Sequence, residues 1–331
     1  MNKKRKTMKK ILYLLISLSI VLTSLSIFNG DDSIIIYSCM ENFRNEELQK
    51  QLSEKFPNLN IYVMYMPTAK AAAKINIEGS DTDADIVIAL EEAYAKQIEN
   101  NMANISLNSN LKYLDDSLSE SNRYLTWERQ SGSIIINEKI LEKNNLPVPE
   151  TYNDLLDPIY KNMIAMPDPK SSGTGFFFVK SLINEMGEDK AFEYFDELAK
   201  NIKQFTESGS GPVKLLIQGE VAIGLGLTFQ GVNELNNGNE FTIIEPEYGS
   251  PYSLTCLSML EGRQNNPDII RVFDFIANEY MIYDKTYGSP EIVLVDQENK
   301  VENYPKNIKY ANMQGIDDLN EKERILSKWK Y

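Results

Sequence analysis

The chain has 331 residues, 42% hydrophobic and 25% charged, enough for one large domain or two medium ones with a sizeable core. Its 48 acidic residues outnumber 34 basic ones, for a net charge of −14, which argues against nucleic-acid binding and against docking on anionic lipid. It contains no histidine, which excludes Ser-His-Asp and Cys-His nucleophile systems and histidine zinc motifs.

The N-terminus reads as an export signal. Lys3, Lys4, Arg5, Lys6, Lys9 and Lys10 form a positive start, and Ile11–Phe28 is then apolar or Ser/Thr throughout. Ser24 and Ser26 suit cleavage after Ser26. The same stretch is just long enough to remain as an uncleaved membrane anchor. It lacks the cysteine that would carry a lipid, so the chain is expected outside the cytoplasmic membrane of a Gram-positive-like cell, secreted or anchored by residues 1–28. Cys39 and Cys256 are the two cysteines; each lies in a strand-like run, either as a buried thiol or joined in one disulfide.

Ser33–Tyr37 is an apolar, β-branched run, predicted as a buried parallel strand. Leu48, Leu52 and Phe56, four apart, predict an amphipathic helix over 46–56. Asn60–Met64 is a second strand, Ala71–Ile77 a helix and Asp85–Leu90 a third strand. This alternation predicts a parallel α/β sheet whose ligands bind beyond the carboxyl ends of the strands. Ser38, Thr68 and Glu91-Glu92 then lie on the rim of a cleft. Tyr37 and Tyr65 read as packing residues, and Glu91 or Glu92 as a solvated helix start or a receiver for a ligand ammonium.

Residues 100–132 read as polar and irregular, with a strand at Ser133–Ile136. Thr151 and Asp154 form a capping-box pattern before a short helix over 152–156. Met166–Gly175, M-P-D-P-K-S-S-G-T-G, is the centre of the chain. Its prolines delay a helix, and Ser171, Ser172 and Thr174 cap one beginning near Gly173. Such a start exposes unpaired N–H groups and partial positive charge, so it suits a carboxylate, phosphate or phosphonate. An ordinary capped helix has the same residues. Asp189–Ile202 is predicted as a packed helix. Phe205–Pro212, F-T-E-S-G-S-G-P, repeats the chemistry ahead of a helix over 213–218, with Ser208, Gly209 and Ser210 as its small hydroxyl and flexible residues. Two such loops suggest two walls of one anion pocket. Strands follow at 221–227, 241–244 and 254–260, a helix at 267–280 and a last helix at 319–329.

Three stretches carry a family resemblance: A-D-I-V at Ala84–Val87, the long segment Leu146–Gly175, and Q-G-E-V-A-I-G-L-G at Gln218–Gly226. Together they resemble the type II solute-binding proteins of ABC importers, in the branch serving ferric ion, thiamine, polyamines, phosphonates and sugar phosphates. The resemblance implies an α/β fold of two lobes, each a mostly parallel sheet flanked by helices, joined by two hinge crossings near 105–132 and 245–253. Residues 31–125 plus 253–285 would form the first lobe, 126–252 the second, and 286–331 a C-terminal segment packing on both.

Ferric members place two tyrosines just after the Q-G-E strand. Here that place reads Leu227-Thr228-Phe229-Gln230, which offers no phenolate. Phosphonate and sugar-phosphate members hold the anion with hydroxyls and helix N-terminal amides, so the resemblance implies a small phosphorylated or phosphonate organic anion held by Ser171, Ser172, Gly173, Thr174, Ser208, Gly209 and Ser210, with a ferric-ion, thiamine or polyamine binding protein of the same fold as the alternative. Ser38, Thr68 and Thr228 are candidate hydrogen-bond donors, and Trp127 and Tyr252 candidate stacking residues that serve core or hinge packing equally well. No metal, no cofactor and no catalysis are expected; the partner is an ABC permease and the protein a monomer. Two readings of other classes are an exported enzyme acting on a phosphate ester and a sensing module held by an uncleaved N-terminal helix.

Overall fold

The computed structural model describes residues 33–105, 111–119 and 121–331; the segment read as an export signal lies outside them. The chain opens with three β–α units: β1 (Ser33–Ser38), α1 (Asn42–Lys55), β2 (Asn60–Tyr65), α2 (Thr68–Glu78), β3 (Ile86–Glu91) and α3 (Glu92–Gln97). β1 pairs parallel with both β2 and β3, and every residue of β3 is buried. That pattern is the one expected of a parallel strand covered on both faces.

The middle of the chain holds β4 (Leu125–Asn137), α4 (Glu138–Lys143), β5 (Ile164–Pro167), α5 (Gly173–Met186), α6 (Glu188–Leu198), β6 (Ile202–Thr206), α7 (Gly211–Ile217), β7 (Ile223–Leu227), α8 (Thr228–Asn236) and β8 (Phe241–Ile244). β5 pairs parallel with β6 and β7. β9 (Tyr252–Met259), α9 (Pro267–Phe275), α10 (Met281–Tyr287) and α11 (Leu319–Lys328) complete the described elements, with a π-helical turn over Ile276–Tyr280 joining α9 to α10.

The strands form one sheet in the order β2-β1-β3-β9-β4-β7-β5-β6, with β8 added to β4. Each end is a parallel trio, and the antiparallel strands β9 and β4 lie between them. Leu125–Ser131 of β4 pairs with β9, and Gly132–Ile136 of the same strand pairs with β7. One strand thus belongs to both halves. The apolar cores divide in the same way. Trp127, Leu257, Val272 and Tyr280 pack with β1 and β3, whereas Phe176, Phe195, Leu225 and Phe229 pack in a second cluster. The C-terminal segment joins both: Val293 and Leu294 enter the first cluster, and Tyr304, Met313, Ile325 and Trp329 the second.

Several predicted elements change. β4 begins at Leu125, not Ser133, because its first half carries Glu128 and Arg129, whose charges are buried in ion pairs and hide the strand pattern. Ile202 opens β6 rather than closing a helix; α6 stops at Leu198, and the buried Asn201 side chain donates to the Leu155 and Asp157 carbonyls. The helix expected to end at Tyr280 runs on to Tyr287, just before Gly288. The capping box at Thr151 and Asp154 forms reciprocally, Thr151 N donating to Asp154 Oδ2 (2.9 Å) and Asp154 N to Thr151 Oγ1 (3.2 Å), around a 3-10 turn. Cys39 and Cys256 are free thiols.

Candidate functional site

The carboxyl ends of the two parallel trios face each other across a cleft of about 530 Å³, a volume suited to a small organic molecule. One wall comes from the loops after β5 and β6. Because those strands pair directly, with Pro167 opposite Thr206, their loops emerge side by side. Asp168 folds the first loop: its carbonyl accepts from Ser172 N (2.9 Å) and Ser171 N (3.2 Å). Ser172 then stands at the N-cap of α5 without using its hydroxyl as a cap, which leaves that hydroxyl and the first N–H groups of the helix free for a guest. The second loop is drawn in by Thr206, whose hydroxyl donates to Ser208 O (3.0 Å), and by a Ser208–Ser210 hydroxyl contact (3.1 Å). The two loops touch: a Cβ at Gly209 would lie 2.3 Å from Thr174 Oγ1, so only glycine allows this approach.

The facing wall comes from the ends of β1, β2, β3 and β9. Cys39–Phe43, Tyr65, Thr68, Glu91, Ser253 and Thr255 line it. Thr68 Oγ1 accepts from Glu91 N (3.1 Å). Glu91 is 4% exposed, and one of its oxygens pairs with Lys322 of α11. The Lys322 ammonium lies 4.5 Å from the Tyr94 ring and 4.6 Å from the Phe176 ring. Burial pulls that ammonium below its usual range, against the opposing pull of Glu91. Lower in the cleft, Glu41 borders a buried ion cluster. Arg44 bonds Asp284 (2.6 Å), Glu128 (2.7 Å) and Glu41 (3.2 Å), and Lys285 joins Asp284 (2.9 Å). Three carboxylates share two cations there, so one negative charge is in surplus. Burial pushes the Glu41 carboxyl up to about 7, Arg44 pulling it down and Glu128 pushing it further up.

Of the candidate residues, Thr68, Ser171, Ser172, Gly173, Thr174, Ser208, Gly209 and Ser210 line this cleft. Four do not. Ser38, the last residue of β1, is fully buried, donating to Asn45 Oδ1 (2.6 Å) and accepting from Met40 N (3.2 Å). Trp127 is a core residue stacked on Tyr280 at 6.1 Å, with Lys285 5.2 Å from its ring. Thr228 is buried behind the wall, its hydroxyl shared with Ser131 (3.0 Å) and Ser133 (2.7 Å). Tyr252 packs against Tyr310 and under the Arg129 guanidinium at 5.0 Å. For Trp127, Thr228 and Tyr252 a neighbour remote in sequence takes the polar or aromatic group, whereas Ser38 is taken by its own turn.

Other expectations also change. Glu91 is buried and paired, not solvated. Tyr65, read as packing, is 47% exposed and lines the cleft. The second helix start belongs to a helix of only seven residues, so the loop's hydroxyls rather than a helix dipole are its resource. Glu41, Gln130, Thr255 and Lys322 escaped the sequence reading because none sits in a motif, and Gln230 was read only as part of the stretch that lacks the ferric members' tyrosines.

A family model for bacterial extracellular solute-binding proteins matches residues 81–321. The chain belongs to the bacterial extracellular solute-binding proteins. This binding protein is similar to an uncharacterized protein of Haemophilus influenzae, 32% identical over 128 residues. That match takes in 39% of this chain and 37% of the relative's length, little more than a third. Among solved structures, the periplasmic binding protein P5PA superposes with a TM-score of 0.77 at 21% identity, covering 90% of this chain and 98% of that one. AfuA from Actinobacillus pleuropneumoniae, solved with exogenous fructose-6-phosphate bound, gives 0.78 at 22% identity, over 90% and 97% of the chains. The ferric binding protein from Campylobacter jejuni gives 0.70 at 17% identity, over 89% and 98%. These likenesses show the periplasmic-binding-protein fold. Among the described residues no helix is long and apolar enough to cross a membrane.

Proposed function

We propose that the protein works outside the cell as the capture component of an ABC importer, taking a small phosphorylated or phosphonate organic anion in the cleft and delivering it to a membrane permease without chemical change. The observation that carries this reading is the wall made by Ser171–Thr174 and Ser208–Ser210. It offers several hydroxyls, the open N-terminus of a fourteen-residue helix and a glycine approach on one surface. Each hydrogen bond to a charged guest contributes about 1.5–3 kcal/mol, and the helix start about 0.3–1 kcal/mol more. On this reading Gln130–Gly132 of β4 and the segment 245–251 are the hinge about which the two halves close.

A second reading, a cationic amine such as a polyamine or thiamine, has one observation in its favour. Glu41, Glu91, Glu207 and Glu234 line the cleft against Lys214 alone. The balance still favours the anion. Lys322 cancels the charge of Glu91, and burial raises the Glu41 carboxyl to about 7, so that it is only partly ionised near neutral pH. Glu207 is exposed at the rim, where solvent and salt screen it.

A thermal-shift panel of sugar phosphates, glycerol phosphates, aminoalkylphosphonates, thiamine, polyamines and ferric citrate tests this. Ligand at about 100 times its dissociation constant adds roughly 2.7 kcal/mol. A shift with a phosphorylated or phosphonate compound is the expected result; a shift only with amine or iron overturns it.

A further inference from the structure

Three polar atoms on the cleft lining are buried without a hydrogen-bond partner: Glu91 Oε2, Thr255 Oγ1 and Gln230 Oε1. Buried polar groups are nearly always satisfied, and each orphan costs about 1–3 kcal/mol. Orphans on the wall of a binding cleft mark bonds that a guest completes.

Their arrangement says what the guest must bring. Glu91 and Thr255 are directly opposite each other in the antiparallel β3–β9 register, so their side chains project to the same side of the sheet. They are 4% and 3% exposed. Lys322 pairs with Oε1 of Glu91, and Oε2 is left without a partner. Oε2 also abuts the start of α5, since a Cβ at Gly173 would lie 2.4 Å from it. A guest seated on that helix start therefore comes within reach of Glu91. Glu91 Oε2 and Gln230 Oε1 are acceptors and need donors, while Thr255 both donates and accepts. A hydroxyl satisfies a Glu91–Thr255 pair in one stroke, donating to the first and accepting from the second. An ammonium can only donate, and it would add a second positive charge to a carboxylate that Lys322 already neutralises.

We infer that Glu91 and Thr255 form a hydroxyl-taking subsite, so that the ligand is a polyhydroxylated phosphate, a sugar or polyol phosphate, with Lys322 as the residue that positions Glu91. This rests on the anion reading above and narrows it. An alkyl phosphate without hydroxyls, or an aminoalkylphosphonate, fills the anion wall and leaves the opposite wall unsatisfied.

The test is titration calorimetry of the wild type and Thr255→Val with four probes: a hexose 6-phosphate, ethyl phosphate, 2-aminoethylphosphonate and sorbitol. The wild type should bind the hexose phosphate at least about tenfold tighter than ethyl phosphate or the aminophosphonate, the difference expected for one hydrogen bond to a charged group. Thr255→Val keeps the side-chain shape, and an unchanged melting temperature would show that it folds. It should weaken the hexose phosphate several-fold more than ethyl phosphate. Lys322→Arg, which keeps the charge, should retain the preference that Lys322→Met loses. Equal affinity for ethyl phosphate and the hexose phosphate, or tighter binding of the aminophosphonate, overturns the subsite. Binding of sorbitol with none of the phosphates overturns the anion reading while keeping the hydroxyl subsite. Binding of none of the four overturns both.

Discussion

The two walls of the cleft are built by opposite means. The α5 wall is local: Ser171–Thr174 and Ser208–Ser210 are short runs of small residues, each placed by hydrogen bonds within its own loop. The β3–β9 wall is assembled from afar, with Glu91, Thr255 and Lys322 drawn from three distant stretches and held by strand register and a buried ion pair. The first wall offers donors and the second acceptors. A loop rich in serine and glycine advertises its chemistry in sequence, whereas a buried glutamate acquires its role only from the company it keeps.

The largest expected effect falls on the assembled wall. Lys322→Met strands Glu91 as a buried, unpaired carboxylate and should cost about 3–5 kcal/mol in urea unfolding; a loss under about 1 kcal/mol would show that Lys322 is not what holds this wall. On the local wall, Ser172→Ala combined with Ser210→Ala should weaken a bound phosphorylated ligand by more than about tenfold in titration calorimetry, with little change in unfolding. Unchanged affinity would remove those hydroxyls from the site.

Gly173→Ala tests the point where the walls meet. Its Cβ would fall 2.4 Å from Glu91 Oε2, so a destabilisation of about 1–3 kcal/mol is expected. That cost should shrink when Glu91→Ala and Lys322→Met remove the pair together; an undiminished cost would mean that the strain lies elsewhere. The mildest change is one of slope. The folded Glu41 carboxyl, raised from 4.5 to about 7, holds its proton more tightly than the unfolded chain does. Stability from this group is therefore present below about pH 4.5 and lost as the pH rises through about 7. Melting temperatures of the wild type should fall relative to Glu41→Gln across that window, and parallel curves would show that Glu41 is not the titrating group.

Much of the fold was legible because it follows from local rules. The first three strands and the two helices between them declare themselves by apolar β-branched runs and, in the first helix, by four-residue spacing. α5 starts at Gly173 as expected from the prolines ahead of it, with Ser172 at the N-cap but no hydroxyl cap bond. The illegible parts share one cause. The first half of β4 contains Glu128 and Arg129, charges that read as surface and are buried because Arg44, Lys285 and Asp116 come from elsewhere to meet them. Trp127 and Tyr252 looked available for stacking, but Tyr280, Lys285, Tyr310 and Arg129 already cover them.

By itself, then, the sequence determined the alternating α/β pattern, the family and the donor wall, since hydrogen-bonding loops and periodic burial are encoded over a few residues at a time. Only the tertiary structure decided the acceptor wall, the buried ion cluster under Glu41 and the reach of α11 to Glu91. A buried charge is stable only opposite its partner, and that partner's position is fixed by strand register and packing rather than by distance along the chain.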